Sequence, residues 1–130
     1  MTDTTKTSLQ TIADRITWQR DYLRRELDNF RESFERNPAR ALSWSADTFR
    51  CAAQDEVLRT LEGWITVARS EGVADDAIVA GLREGARREV DRRVLEISGT
   101  STDQAGRLMD DCLRLAWAQT IMGLGPLLGE

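Results

Sequence analysis

The chain has 130 residues, of which 41% are hydrophobic and 31% charged, with a net charge of −4 at pH 7. That length suits one domain able to bury about two thirds of its unfolded surface, and the composition is that of a soluble globular or helical chain. No apolar run approaches the ~20 residues that span a bilayer, and the polar start, MTDTTKTSLQ, lacks the apolar stretch of a signal peptide, so the sequence predicts a cytoplasmic protein with no membrane contact.

After a flexible tail over residues 1–7, the pattern predicts a single domain, residues 8–130, that is all-α. It reads as an antiparallel bundle of four main helices, with a short extra turn between the first two. The first helix spans about Ser8 to Arg36, because the residue before Pro38 avoids helical backbone. Its apolar residues Leu9, Ile16, Leu23 and Phe30 recur at strict sevens, with Ala13, Leu27 and Phe34 in the next column.

The turn ARALSW leads to a second helix, predicted to be capped by Ser45 and to run to about Ser70, with Gly72 as its stop. Its core face reads Cys51, Leu58, Leu61, Ile65 and Ala68. Trp44 and Trp64 are expected as core or loop anchors. The third helix spans about Ala74 to Ser98, opened by Asp75 and Asp76 and closed by Gly99. Ile78, Leu82, Ala86, Val90, Val94 and Ile97 form its stripe, and Gly81 and Gly85, four apart, would let a neighbour approach closely.

Ser101, Thr102 and Asp103 compete to cap the fourth helix, which is predicted to end near Met122. Leu108, Cys112, Leu115 and Ala116 share one of its faces, and Trp117 joins a wide apolar surface. The tail GLGPLLGE carries Gly and Pro breakers. Helix and tail together are too apolar for a solvated end, which points to packing within the bundle or to self-association.

At 100° per residue, the first helix places a second row opposite its apolar stripe: Thr11, Arg15, Trp18, Tyr22, Arg25, Asn29, Ser33 and Arg36. No acidic residue enters this row. Asp14, Asp21, Asp28 and Glu35 gather at sevens on one flank, with Glu32, and Glu26 stands on the other. Arg15 has no carboxylate at i±3 or i±4 to neutralise it. Arginines interleaved with aromatic rings suit a phosphate backbone and stacked bases. The same residue types are enriched where proteins meet proteins, and a Trp–Tyr pair at this spacing also suits internal packing.

The third helix carries a denser basic cluster, Arg83, Arg87, Arg88, Arg92 and Arg93. Most of it pairs with acids one turn away: Glu84 with Arg88, Glu89 with Arg93, Arg87 with Asp91 and Arg92 with Glu96. Only Arg83 lacks an acidic helical neighbour. A solvated, self-paired face is the leading reading, with these forks as second-rank contacts that can exchange a carboxylate for a phosphate.

No catalytic signature is present, so the chain is expected not to be an enzyme and to use no cofactor. It has no histidine and only Cys51 and Cys112, sixty-one positions apart, which excludes the usual zinc sites and predicts buried free thiols. Asp75-Asp76 and Asp110-Asp111 are adjacent on helices and point about 100° apart, so neither forms a facing acid/base couple. Gly123-Leu124-Gly125 follows no strand and is no dinucleotide loop.

A small, all-helical, arginine-biased chain that carries the Arg15/Trp18/Tyr22/Arg25 row and the Arg83–Arg93 cluster resembles the small subunit of multi-subunit CRISPR–Cas effector complexes. Seventeen of its eighteen basic residues are arginine. The likeness is one of architecture. It implies a non-catalytic subunit present in several copies, touching RNA or single-stranded DNA through phosphates and neighbouring protein subunits through its other faces. The alternative from the residues themselves is a protein-interaction adaptor or inhibitor bundle with no nucleic-acid contact.

Overall fold

A computed structural model describes residues 7–97 and 104–128. The predicted caps at Ser101, Thr102 and Asp103 and the stop at Gly99 lie outside the described residues, as do the side chains of Val94, Ile97 and Leu108 and the tail before Thr7. Within them the protein is all-α, with five helices and no strand: α1 Ser8–Arg36, α2 Pro38–Leu42, α3 Ser45–Ser70, α4 Asp75–Ile97 and α5 Gln104–Leu128.

Local chemistry sets most boundaries. Thr7, assigned by the sequence to the tail, caps α1 instead: its Oγ1 accepts a hydrogen bond from the Gln10 amide at 3.1 Å. Asn37 ends α1 and opens α2, accepting from the Arg40 amide at 3.3 Å, with Pro38 in the first turn where its missing N–H costs nothing. Gly72, at φ 75°, closes α3. Val73 N–H donates to the Ala68 carbonyl and Gly72 N–H to that of Arg69, the paired bonds of a left-handed helix stop.

Two boundaries differ from expectation. Ser45 is not the cap of α3 but its first residue. The turn of α2 runs almost directly into α3, so Thr48 N–H already reaches the Trp44 carbonyl at 3.1 Å, and Trp44 makes no side-chain cap bond. The fourth long helix does not stop at Met122; α5 continues through Gly123, Gly125 and Pro126 to Leu128. Leu124, 8% exposed, is buried beside Ile16, Leu58 and Ala116, and this packing outweighs the poor helical propensity of its neighbours.

One contiguous core joins four helices. α1 contributes Leu9, Ile12, Ile16 and Leu23; α3 contributes Ala53, Val57, Leu58, Leu61 and Ile65; α4 adds Ile78, Leu82 and Ala86. α5 adds Cys112, Leu113, Ala116, Trp117 and Leu124, and it is the central element, packed chiefly against α4 and α3. Apart from Leu115, its described large apolar side chains pack inside the chain. Leu115, placed by the pattern on the buried face, is exposed, while Leu113 and Trp117 take that role.

The apolar column of α1 also departs from its heptad reading. Burial is complete as far as Leu23, then Leu27 and Phe30 are half-buried and Phe34 is 42% exposed. The last turns of α1 face only α2 and the start of α3, so the repeat outruns its partners.

Candidate functional site

The row opposite the core of α1 is open at its aromatic and arginine positions, while Thr11 and Ser33 are half-buried. Trp18 is 66% exposed and Tyr22 47%, and Arg15, Arg25 and Arg36 are exposed with them. The two rings, one turn apart, lie nearly parallel, with centroids 6.4 Å apart and planes inclined by 12°. Spacings of three, four and three residues set the rings between Arg15 and Arg25, over roughly 15 Å of helix at 1.5 Å per residue.

Arg15 makes no ion pair with any described residue. Arg25 Nε donates to the Asp21 carbonyl at 3.4 Å, a bond to backbone, and forms no ion pair with a described carboxylate, although Asp21 and Asp28 lie one turn away on the same helix. Arg20, by contrast, lies on the other side of the helix and is committed to α3. Its Nε donates to Asp55 Oδ1 at 3.0 Å and its Nη1 to Glu62. The Asp55 hydrogen bond comes first among the causes that raise its pKa above the ordinary arginine value, with partial burial opposing.

Beside the row, Arg15 and Gln19 edge a cleft of about 220 Å³ between α1 and α5. Its floor is apolar, formed by Ile16, Leu58, Ala116 and Leu124. Its rim is amide-rich, since Gln54 Nε2 donates to Gln119 Oε1 at 3.1 Å across the cleft. Sequence reading missed these glutamines, because three helices must be juxtaposed before Gln19, Gln54 and Gln119 share one rim.

The α4 arginines form a separate surface on a helix that meets α1 only slightly. Arg88 pairs with Glu84 at 3.5 Å, as the spacing predicts. Arg92 pairs with Glu89, three residues away, at 2.6 Å; the side chains of Arg93 and Glu96 lie outside the described residues. Arg83 is half-buried, and Arg83, Arg87 and Arg92 each have a further interaction. This is a self-paired face and ranks below the α1 row.

The remaining aromatic expectations divide. Trp117 is buried, and Trp64 stacks on it with centroids 5.6 Å apart and planes at 24°. Trp44 is no core anchor: it is 44% exposed at the start of α3. Gly85 does admit a close neighbour, the Trp64 ring rather than backbone, while Gly81 faces open space.

Among the described residues no cluster of three metal-ligating side chains forms, and no helix is long and apolar enough to cross a membrane. Cys112 is buried and Cys51 half-buried, both unpaired. Burial pushes each thiol above the ordinary cysteine range, which suppresses the reactive thiolate. No protein-family model, curated protein or solved structure matches this chain.

Proposed function

We propose that this protein is a non-catalytic structural subunit of a nucleoprotein assembly, gripping the backbone of single-stranded nucleic acid through the exposed row of α1 without reading sequence. The observation that carries this reading is the exposed, nearly parallel Trp18–Tyr22 pair set between Arg15 and Arg25. Guanidinium groups hold phosphates, rings accept bases by stacking, and neither contact distinguishes one base from another. Arg36 extends the charge along the row, and the α4 forks serve as secondary contacts. The architectural resemblance to small CRISPR–Cas effector subunits agrees with this role.

Binding to a fluorescent single-stranded RNA or DNA, followed across a salt series, tests the proposal. Backbone contact requires the logarithm of affinity to fall with the logarithm of salt, by about 0.7 per phosphate neutralised on a single strand. Arg15→Glu with Arg25→Glu is expected to lower affinity by at least about tenfold and flatten that slope, with an unchanged melting temperature. No binding at low salt, or binding indifferent to both charges, would sink the idea.

A second reading is favoured by the exposure of Trp18 itself, since a Trp–Tyr–Arg patch is also the usual make-up of a protein-binding hot spot. An adaptor or inhibitor of this kind would be recovered from its host with one protein partner and no nucleic acid, and nuclease would not release it.

A further inference from the structure

At the C-terminal end of α1 the apolar stripe is only partly covered by the start of α3, and the charge pattern beside it reads the same backwards with signs exchanged. Leu27, Phe30 and Phe34 continue the column that is buried as far as Leu23, yet Phe34 is 42% exposed. Leu42 and Trp44 add exposed apolar surface at the same end of the bundle. Patches of this kind on a charged surface mark association sites.

Along one flank of that stripe run Arg24, Asp28, Arg31 and Glu35, all exposed. Their spacing is four, three, four and their signs are plus, minus, plus, minus. Reversing the direction of the helix gives minus, plus, minus, plus at the same spacing. Arg20, at the beginning of this side, is taken by Asp55 and Glu62 of α3, but the flank beyond it forms no ion pair with an acid of another helix among the described residues. Arg31 pairs with Asp28 of its own helix at 3.4 Å, with both groups largely in solvent.

We propose that a second copy of this chain docks antiparallel on this end of α1, about a two-fold axis beside Asn29 and Phe30. In that register Arg24 faces Glu35 of the other copy and Asp28 faces its Arg31, each pair occurring twice. The apolar stripe agrees within about two residues, or 3 Å of helix rise: Phe30 meets Phe30, and Leu27 meets Phe34. This is a self-complementary surface of the type two-fold dimers require. The apolar side chains supply the attraction, and the charges set direction and register. The Arg15/Trp18/Tyr22/Arg25 row lies on a different side of α1, so the dimer leaves the proposed nucleic-acid face open.

Two charge variants and their mixture test this. Arg24→Glu with Arg31→Glu makes the flank wholly acidic, and Asp28→Arg with Glu35→Arg makes it wholly basic. Light scattering on the full chain is expected to give the mass of two chains for the natural sequence and of one chain for each variant alone. The dissociation constant should rise at least about tenfold in each. An equimolar mixture of the variants should restore a one-to-one dimer. Helical content measured by circular dichroism shows that both variants are folded, and Phe34→Ser, which leaves every charge in place, should also give one-chain mass. A natural chain that stays at one-chain mass up to millimolar concentration overturns the proposal. So does either charge variant that self-associates as tightly as the natural chain, or a mixture of folded variants that does not pair.

Discussion

Arg20 on α1 and Asp55 on α3 are joined by an ion pair of 3.0 Å, with side chains only 14% and 19% exposed. It pins the two longest helices at mid-length, and Glu62 braces the same guanidinium about two turns further along α3. Arg20→Ala leaves two carboxylates of α3, Asp55 and Glu62, without their shared cation at a half-buried seam. The expected loss is about 2–3 kcal/mol in urea unfolding, below the full penalty of a deeply buried pair because water still reaches Glu62. Arg20→Met, which keeps the packing stem, should recover part of this if Asp55 is changed to Asn as well.

The stack of Gly85, Trp64 and Trp117 crosses α4, α3 and α5. A Cβ on Gly85 would lie 2.7 Å from Trp64 Cζ3, so the Trp64 ring, which stacks on Trp117, would have to shift. Gly85→Ala is therefore expected to destabilise by about 1–3 kcal/mol through overpacking. At Gly81 nothing lies within 4 Å. Gly81→Ala should stabilise by roughly 0.5–1 kcal/mol through helix propensity alone. Thermal melts of the two variants should move in opposite directions.

Trp18 and Trp117 provide a second contrast. Trp117 is 2% exposed, so Trp117→Ala is expected to cost about 3–5 kcal/mol. Trp18→Ala, at a solvated position, should change stability by less than about 1 kcal/mol while weakening nucleic-acid binding. A loss of several kcal/mol at Trp18 in chemical unfolding would make the row structural and remove the proposed face.

The two thiols make stability fall in alkali. Desolvation raises both, with Glu26 and Asp47 adding to the effect at Cys51 and Asp111 at Cys112. A group whose folded pKa lies above its unfolded value contributes stability that is complete below the unfolded pKa, about 8.5 for cysteine, and is lost as pH rises through the folded value. The natural chain should thus lose more stability between neutral pH and about pH 10 than the Cys51→Ala, Cys112→Ala chain, read as the difference in urea midpoints.

Helix existence and most helix ends were legible because their causes are local. Asn37-Pro38 and Gly72 act on their own backbones, and the 3.6-residue spacing of Leu9, Ile16 and Leu23 needs no partner to be visible. The acid-free row on α1 was legible for the same reason, since residues on one side of a single helix are fixed by rotation per residue. What a row touches is not a local property. Equal spacing placed Leu23 and Phe34 in similar apolar columns, yet one is buried and the other is open.

Tertiary structure alone decided that α5 sits at the centre of the bundle, which turned a tail full of Gly and Pro into helix by burying Leu124. It decided that Arg20 is an internal pin while Arg15 and Arg25 form no ion pair with a described residue. It brought Gln54 and Gln119 together and left Phe34 exposed at the end of α1. Sequence determines the period and caps of each helix through bonds within a few residues. Which face is buried, and how far along the helix burial extends, depends on where the other helices end.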